Sequence, residues 1–541
     1  MDIQNNQLQF RRCELIGGGT YGKVYKCEIK DNKGNVSYGA EKLVTYKIPH
    51  SGFGILKEIH MLYLLSSECC NFFPRMINIS FSDYERKPLD LEIEKYESVV
   101  FITEHIEMCG MTYFKNRNYN LDTAIDLISQ LLMAVGYIHR KFITHRDIKP
   151  SNILISLKSG KPILKICDFG LSQYLVDSQP STPDVNTIWY RAPEVCWSIK
   201  SYGDATDIWC VGATIYEILT GVPLFYGCEN KNESLFAEML NKIPCRWTKE
   251  IHSLYNKESN VVLKINGTVE YTEIRPPIQF YERFITSPYF THYESPKWEL
   301  LSRFLSKIFD FNYKKRPKAW ELLNDDVFNS IKHNIINTLE PLRGPIYNEN
   351  IVINIESNLN TRKMFFLYTL LDGGRFSVNS HRKLFHAVNL VNLILQRDIS
   401  FFDEERNVEK IICGCIYFYE KFFSTLVVPH PMQDYFQFVD NFYLHGSKKV
   451  LDMEKYYKYD EWVYNFEKKI ICDIFPTFNI YSTGIFESAD YYKIILNPDQ
   501  SLRILKRFID IEDWKGGSFR SMFRHIYKNE IDPNFNFTKN N

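Results

Sequence analysis

From residue 8 to about 106 the chain alternates apolar and polar positions in short runs. Val24-Tyr25-Lys26-Cys27-Glu28-Ile29 is one such run, and the turn-forming Asp31-Asn32-Lys33-Gly34-Asn35 separates it from the next. Period-two alternation bounded by turn residues predicts β-strands. From about 120 to 332 the apolar spacing becomes helical, most clearly over 122–138 and 298–309. Around 333–358 the periodicity fades into Pro341, Pro345 and an Asn-rich stretch, which reads as a linker. Amphipathic helical segments then recur to the last residues. The pattern predicts an α+β unit over 8–332, with a strand-rich lobe at 8–106 and a helical lobe at 107–332. It also predicts a linker at 333–358 and an all-α domain at 359–541.

Composition narrows the class. A chain of 541 residues with 45% hydrophobic and 24% charged content has material for two or three globular domains. Its 65 basic residues match 65 acidic ones, so no charge excess argues for nucleic acid or an anionic membrane as partner. Thirteen cysteines occur without a CxxC pair, and Cys69-Cys70 and Cys413-x-Cys415 lack companions at metal-ligand spacing. They read as free thiols in a reducing compartment. With a polar N-terminus and no membrane-length apolar run, the expected location is intracellular, in cytoplasm or nucleus. The wealth of Tyr, Phe, Asn, Ile and Lys follows AT-rich coding, which would suit a large DNA virus and hence a host cell.

Candidate chemistry begins at Gly17-Gly18-Gly19-Thr20-Tyr21-Gly22-Lys23-Val24, entered through Ile16. A glycine-rich turn between two strands fits a cover over nucleotide phosphates, whereas a dinucleotide fingerprint opens a helix. Taken alone, a glycine-rich hairpin reads equally well. In the following strand Ala40 and Lys42 share a face and Glu41 points away, while Lys47 has the wrong parity. Glu58 borders the apolar stripe Ile55, Ile59 and Leu62, placed either to pair with Lys42 or to serve as a surface partner. The densest block is His145-Arg146-Asp147-Ile148-Lys149-Pro150-Ser151-Asn152, with Asp168-Phe169-Gly170 beginning 21 positions beyond Asp147.

With Ala192-Pro193-Glu194, Asp207-Ile208-Trp209-Cys210-Val211-Gly212 and Lys315-Arg316-Pro317 following in order, residues 8–330 resemble the protein kinases. The resemblance implies the bilobal protein-kinase fold, ATP and Mg²⁺. It implies that Asp147 orients the acceptor hydroxyl, Lys149 meets the γ-phosphate, and Asn152 and Asp168 hold Mg²⁺. Ile16, Gly17, Gly18, Gly19, Thr20, Tyr21, Gly22, Lys23, Val24, Ala40, Lys42 and Glu58 would then surround the nucleotide. Thr103 would lie behind the adenine, Glu104 and Ile106 would offer it backbone groups, and Leu154 would form its floor. Lys149-Pro150 is similar to serine/threonine kinases. GGGTYGKVY, Trp189-Tyr190-Arg191-Ala192-Pro193-Glu194 and Gly221-Val222-Pro223-Leu224-Phe225 resemble the cyclin-dependent branch. That branch implies proline-directed substrates, with Arg191 capping a backbone twist at Asn186. It also implies regulation by phosphate at Thr182 received by Arg146, and at Thr20 and Tyr21. The alternative is a weakly active kinase scaffold whose C-terminal domain binds another protein.

Residues 360–480 resemble a cyclin box, more faintly. Arg362-Lys363-Met364-Phe365, Leu384-Phe385-His386-Ala387-Val388-Asn389-Leu390-Val391-Asn392 and Cys413-Gly414-Cys415-Ile416-Tyr417-Phe418-Tyr419-Glu420-Lys421 look like its first three helices, and 462–475 like its fifth. Arg362 and Lys421 match the family pattern. Asn392 stands where the family has aspartate, and Phe422-Phe423 replaces an acidic pair. An unrelated helical domain remains the other reading. Gly52 and Gly54 each weaken the helix that would carry Glu58, by about 1 kcal/mol relative to alanine. A cyclin-like domain in the same chain is therefore expected to supply the missing support in cis.

Overall fold

The structure is a computed structural model. It describes residues 8–19, 22–47, 58–59, 61–62, 65, 71–86, 94–116, 119–140, 143–158, 160–174, 187–199, 203–226, 231–243, 248–258, 280, 296–339, 351–354, 363, 367, 381–396, 411–417, 498–509, 513–517 and 519–535. By its internal contacts the chain forms two compact units, one essentially residues 4–342 and the other essentially 343–541.

In the first unit the alternating runs become five antiparallel strands, β1 (Gln9–Gly19), β2 (Gly22–Lys30), β3 (Val36–Lys47), β4 (Met76–Arg86) and β5 (Glu94–Glu104). Their order in the sheet is β1-β2-β3-β5-β4. The hairpin closing β1 onto β2 pairs Gly19 with Gly22. Gly22 sits at φ 149°, and a Cβ there would lie 2.4 Å from the Leu43 carbonyl oxygen, so the close approach of β2 to β3 requires glycine. The register places Lys42 opposite Val24 on one side and Phe101 on the other. Glu41, of opposite parity, accepts from Arg12 on β1 at 2.9 Å, and the Arg12 guanidinium lies over Tyr25. That pairing accounts for a charged residue in the strand that carries Lys42.

The helical lobe is built on two core helices. Leu121–Arg140 is long and apolar enough to span a membrane by length and composition, and most of it is buried inside this unit. Asp204–Thr220 packs against it and ends at Gly221, whose φ of 74° supplies a left-handed cap. Gly212 on this helix would place a Cβ 2.6 Å from Ile308 Cγ2, which fixes the distance to the helix Pro296–Ile308. Between these elements run the short strands β6 (Met108–Cys109), β7 (Ile143–Thr144), β8 (Ile153–Ser156), β9 (Ile163–Ile166) and β10 (Gln173–Tyr174). They hold the segments bearing the charged motifs: β7 pairs with β10, and β8 lies between β6 and β9.

Within the expected linker, 333–358, the described residues form regular elements. Lys332–Leu339 is a helix with Ile335 buried, and Ile351–Asn354 is a strand, β11, paired antiparallel with β12 (Asp513–Gly517). The interrupted apolar spacing concealed both, because one is short and the other finds its partner far along the chain. The second unit is otherwise helical where described. His381–Gln396 contributes the buried Phe385, whose ring lies 4.4 Å from that of Phe508 in the helix Pro498–Ile509. Buried Lys363 donates to Asn392 Oδ1 at 2.9 Å. Arg362, Lys421, Phe422-Phe423 and 462–475 lie outside the described residues.

Candidate active site

Three charged side chains converge where the strand lobe meets β9. Lys42 Nζ donates to Glu58 Oε1 at 2.7 Å and Oε2 at 2.6 Å, and lies 3.6 Å from Asp168 Oδ1. Glu58 is buried on the same helical stripe as Ile59, Met61, Leu62 and Leu65. Burial opposes the charge on Lys42, but Glu58 and Asp168 together hold its ammonium above the ordinary lysine value. Burial also pushes the Glu58 carboxyl up to about 7, against the pull of Lys42 and with help from Asp168. The ion pair needs Glu58 ionised, so activity is expected to fall as pH drops through about 7. The folded state's affinity for that proton has the opposite consequence for stability. Glu58's contribution is complete below pH 4.5 and lost as pH rises through about 7. A pH profile of kcat/KM should show this acid limb in the native chain and not in Glu58→Gln. ATP's own ionisation is common to both.

Asp147 sits in a loop braced from below. The buried Asp207 carboxylate accepts the His145 N–H at 2.7 Å and the Arg146 N–H at 2.8 Å, and contacts His139 Nε2 at 3.0 Å. Burial alone would raise the Asp207 carboxyl, but these partners hold it below the usual carboxylate range. The brace lets Arg146 occupy φ 67°, in a region uncommon for a residue with a side chain. Asp168 likewise adopts φ 63°. Strain at two residues flanking one cleft needs a surrounding frame that over-determines it. Part of that frame is aromatic, with Phe169 packed 4.8 Å from His145 and 5.8 Å from Phe73, ring centre to ring centre.

Four donors converge on the Asp147 carboxylate. Oδ2 receives Asn152 Nδ2 at 2.9 Å and Lys149 Nζ at 2.7 Å. Oδ1 receives the Thr187 N–H at 3.1 Å and the Thr187 hydroxyl at 3.2 Å. Lys149 also donates to Thr187 Oγ1 at 2.5 Å. Sequence reading did not single out Thr187. Its one signal was its place just ahead of Trp189-Tyr190-Arg191. Asn152 commits its Nδ2 to Asp147, leaving its Oδ1 as an oxygen donor, and the Asp168 carboxylate is about 40% exposed. Among the described residues no three His, Cys, Asp or Glu side chains form a metal cage. One carboxylate and one amide oxygen suit Mg²⁺, which keeps waters and takes further ligands from substrate phosphates.

The remaining expected residues fall as follows. Ala40 pairs with Thr103 and Leu154 with Cys109 in the strands around the cleft. Thr103 is buried, and Glu104 and Ile106 follow it out of β5. Ile16, Gly17, Gly18 and Gly19 end β1, and Gly22, Lys23 and Val24 open β2. Thr20, Tyr21, Thr182 and Asn186 lie outside the described residues, as do Gly52, Gly54 and Ile55. Arg146, expected to await a phosphate, is buried and donates to the Gln173 side chain. Arg191 donates to Asn232 Oδ1 at 2.6 Å. Farther down, buried Arg316 makes two bonds to Glu194, at 2.6 and 2.7 Å.

The model of the protein kinase domain matches residues 10–328. A probable cell division protein kinase of Encephalitozoon cuniculi is 33% identical over 224 residues, covering 40% of this chain and 74% of that protein. Cyclin-dependent kinase G1 of Arabidopsis thaliana is 33% identical over 40% of this chain and 34% of its own length. Cyclin-dependent kinase E-1 of the same plant is 34% identical over 41% and 47% respectively. The chain thus spans well under half to about half the length of these plant relatives. Family model, relatives and cleft agree, and the chain belongs to the protein kinase family, with cyclin-dependent serine/threonine kinases among its relatives.

Proposed function

We propose that the protein transfers the γ-phosphoryl group of ATP to serine or threonine hydroxyls followed by proline, in a Mg²⁺-dependent reaction. The observation that carries the reading is the Asp147 carboxylate held between Asn152, Lys149 and Thr187, in one cleft with the Lys42–Glu58–Asp168 group. Asp147 orients the acceptor hydroxyl and takes its proton; Lys42, held by Glu58, steadies the α- and β-phosphates. Asn152 and Asp168 hold Mg²⁺, which supplies charge neutralisation on the phosphates when bound. Lys149 exchanges part of its bond to Asp147 for the γ-phosphate, freeing a lone pair for the incoming hydroxyl. Ile16 to Val24 cover the phosphates, and backbone groups of Glu104 and Ile106 receive the adenine over Leu154. Purified chain should phosphorylate a Ser-Pro peptide with ATP and Mg²⁺, at least tenfold faster than its Ser-Ala twin. Equal rates would remove the proline preference, and no transfer to either would favour the scaffold reading.

The second unit is proposed as a cyclin-like activator acting in cis. Its support is the likeness of 384–392 and 413–421 to cyclin helices, together with the glycines ahead of Glu58. A short tether gives an effective concentration of the order of millimolar, so a weak interface suffices. Residues 1–342 alone should retain fold and lose most activity, at least tenfold, with recovery when 343–541 is added. Full activity of the isolated first unit would end this reading.

A further inference from the structure

Beside the exit of β5 the first unit holds a cavity of about 490 Å³. Its wall draws on separate elements: Lys26 from β2, Tyr38 from β3, Arg75 ahead of β4, Glu104 and His105 at the end of β5, and Lys158 between β8 and β9. Apart from Glu104, none of the residues assigned above to nucleotide or catalytic work lines it.

The charges in this wall are unequally satisfied. Glu104 is bonded by Lys165, and by the Arg75 N–H at 3.0 Å. Glu107, also in the wall, lies 3.3 Å from Lys158 Nζ. Lys26 Nζ is 3.5 Å from Glu14 and 4.7 Å from the centre of the Tyr38 ring. Burial holds His105 below the ordinary histidine value, so it is neutral near pH 7. The Arg75 side chain is exposed and has no carboxylate partner among the described residues. A guanidinium in that state offers a two-bond fork to a carboxylate. Beside it, Ile77 and the half-exposed ring of Tyr38 give an apolar surface. The volume suits a small molecule.

We propose that this cavity binds a small carboxylic acid with a flat apolar body, paired to Arg75, and that its occupancy shifts nucleotide affinity through Glu104. The link is a backbone clasp. Glu104 N–H donates to the Arg75 carbonyl at 2.9 Å while Arg75 N–H returns to the Glu104 carboxylate. A ligand that draws on Arg75 therefore acts on the same peptide segment that presents Glu104 to adenine. The coupling rests on that proposed adenine contact; the binding does not.

The test uses the full chain, 2-naphthoate as probe and 2-naphthalenemethanol as its uncharged twin, followed by titration calorimetry. Saturable one-to-one binding of naphthoate is expected, at least tenfold tighter than the alcohol and at least tenfold weakened by Arg75→Ala. It should persist in saturating ADP, with each ligand changing the other's Kd by the same factor, about fivefold or more. No saturable binding, indifference to Arg75→Ala, or simple displacement by ADP overturns the site. Arg75-dependent binding with no mutual effect on ADP overturns the coupling alone. A chain that binds naphthoate but not ADP retains the cavity and loses the kinase reading instead.

Discussion

Asp147→Asn is expected to abolish nearly all phosphotransfer, lowering kcat roughly 10²–10⁴-fold, the range of a lost general base. The change is nearly isosteric, so the loop keeps its place on Asp207. Its chemistry is nonetheless wrong in two ways. An amide cannot accept the acceptor's proton at neutral pH. It also presents an NH₂ group to a setting of donors, since Asn152, Lys149 and Thr187 all point hydrogens at this side chain. Each oxygen receives two of these donors, so the new NH₂ meets two of them donor against donor, and the side chain turns from its working orientation. The proposed nucleotide contacts lie elsewhere, around Lys42 and Asp168, so Mg·ADP affinity by calorimetry should match the native chain. Turnover within tenfold of native by a folded variant would refute the assignment of Asp147.

The largest stability effect should come from Arg316→Met. The guanidinium is fully buried and bonds both oxygens of an equally buried Glu194, the Asp310 carbonyl at 2.8 Å and the Ala205 carbonyl at 2.9 Å. It also lies 4.9 Å from the centre of the Trp209 ring. Removing one member leaves a buried carboxylate with the Thr206 hydroxyl at 3.0 Å as its remaining described side-chain donor. Breaking a buried pair from one side costs about 3–5 kcal/mol. Urea unfolding followed by tryptophan fluorescence reads it directly, because Trp209 sits against the lost group. Glu194→Gln in the same chain should recover part of the loss, since it removes the stranded charge. A single-variant cost under about 1 kcal/mol would show that water reaches Glu194 and that the pair is not a structural anchor.

How much of the site was legible in one dimension depended on the kind of contact. The strand carrying Lys42 has a parity that separates Ala40 and Lys42 from Glu41, and a pleated strand realises that parity whatever surrounds it. The block from His145 to Asn152 keeps its members within reach because a tight loop spans few residues. What lay beyond was each partner that arrives from a distant segment. Arg12 on β1 reaches Glu41 on β3 across β2; Thr187 reaches Asp147 across forty positions of chain. Such pairs follow no spacing rule.

Local sequence was enough for the strand-then-helix order, the glycine turn between β1 and β2 and the charged motifs of the cleft, and it pointed to a helical C-terminal region. Each is local, fixed by side-chain period, by backbone freedom at glycine or by residue chemistry. Tertiary structure decided the rest. It set which carboxylate is buried beside Lys42 and so titrates near 7, and it locked Arg146 and Asp168 in left-handed backbone. It joined β11 to β12 across some 160 residues and turned Lys363 to Asn392. These outcomes depend on desolvation and on closure of long loops, which are properties of the packed chain and absent from any single stretch of it.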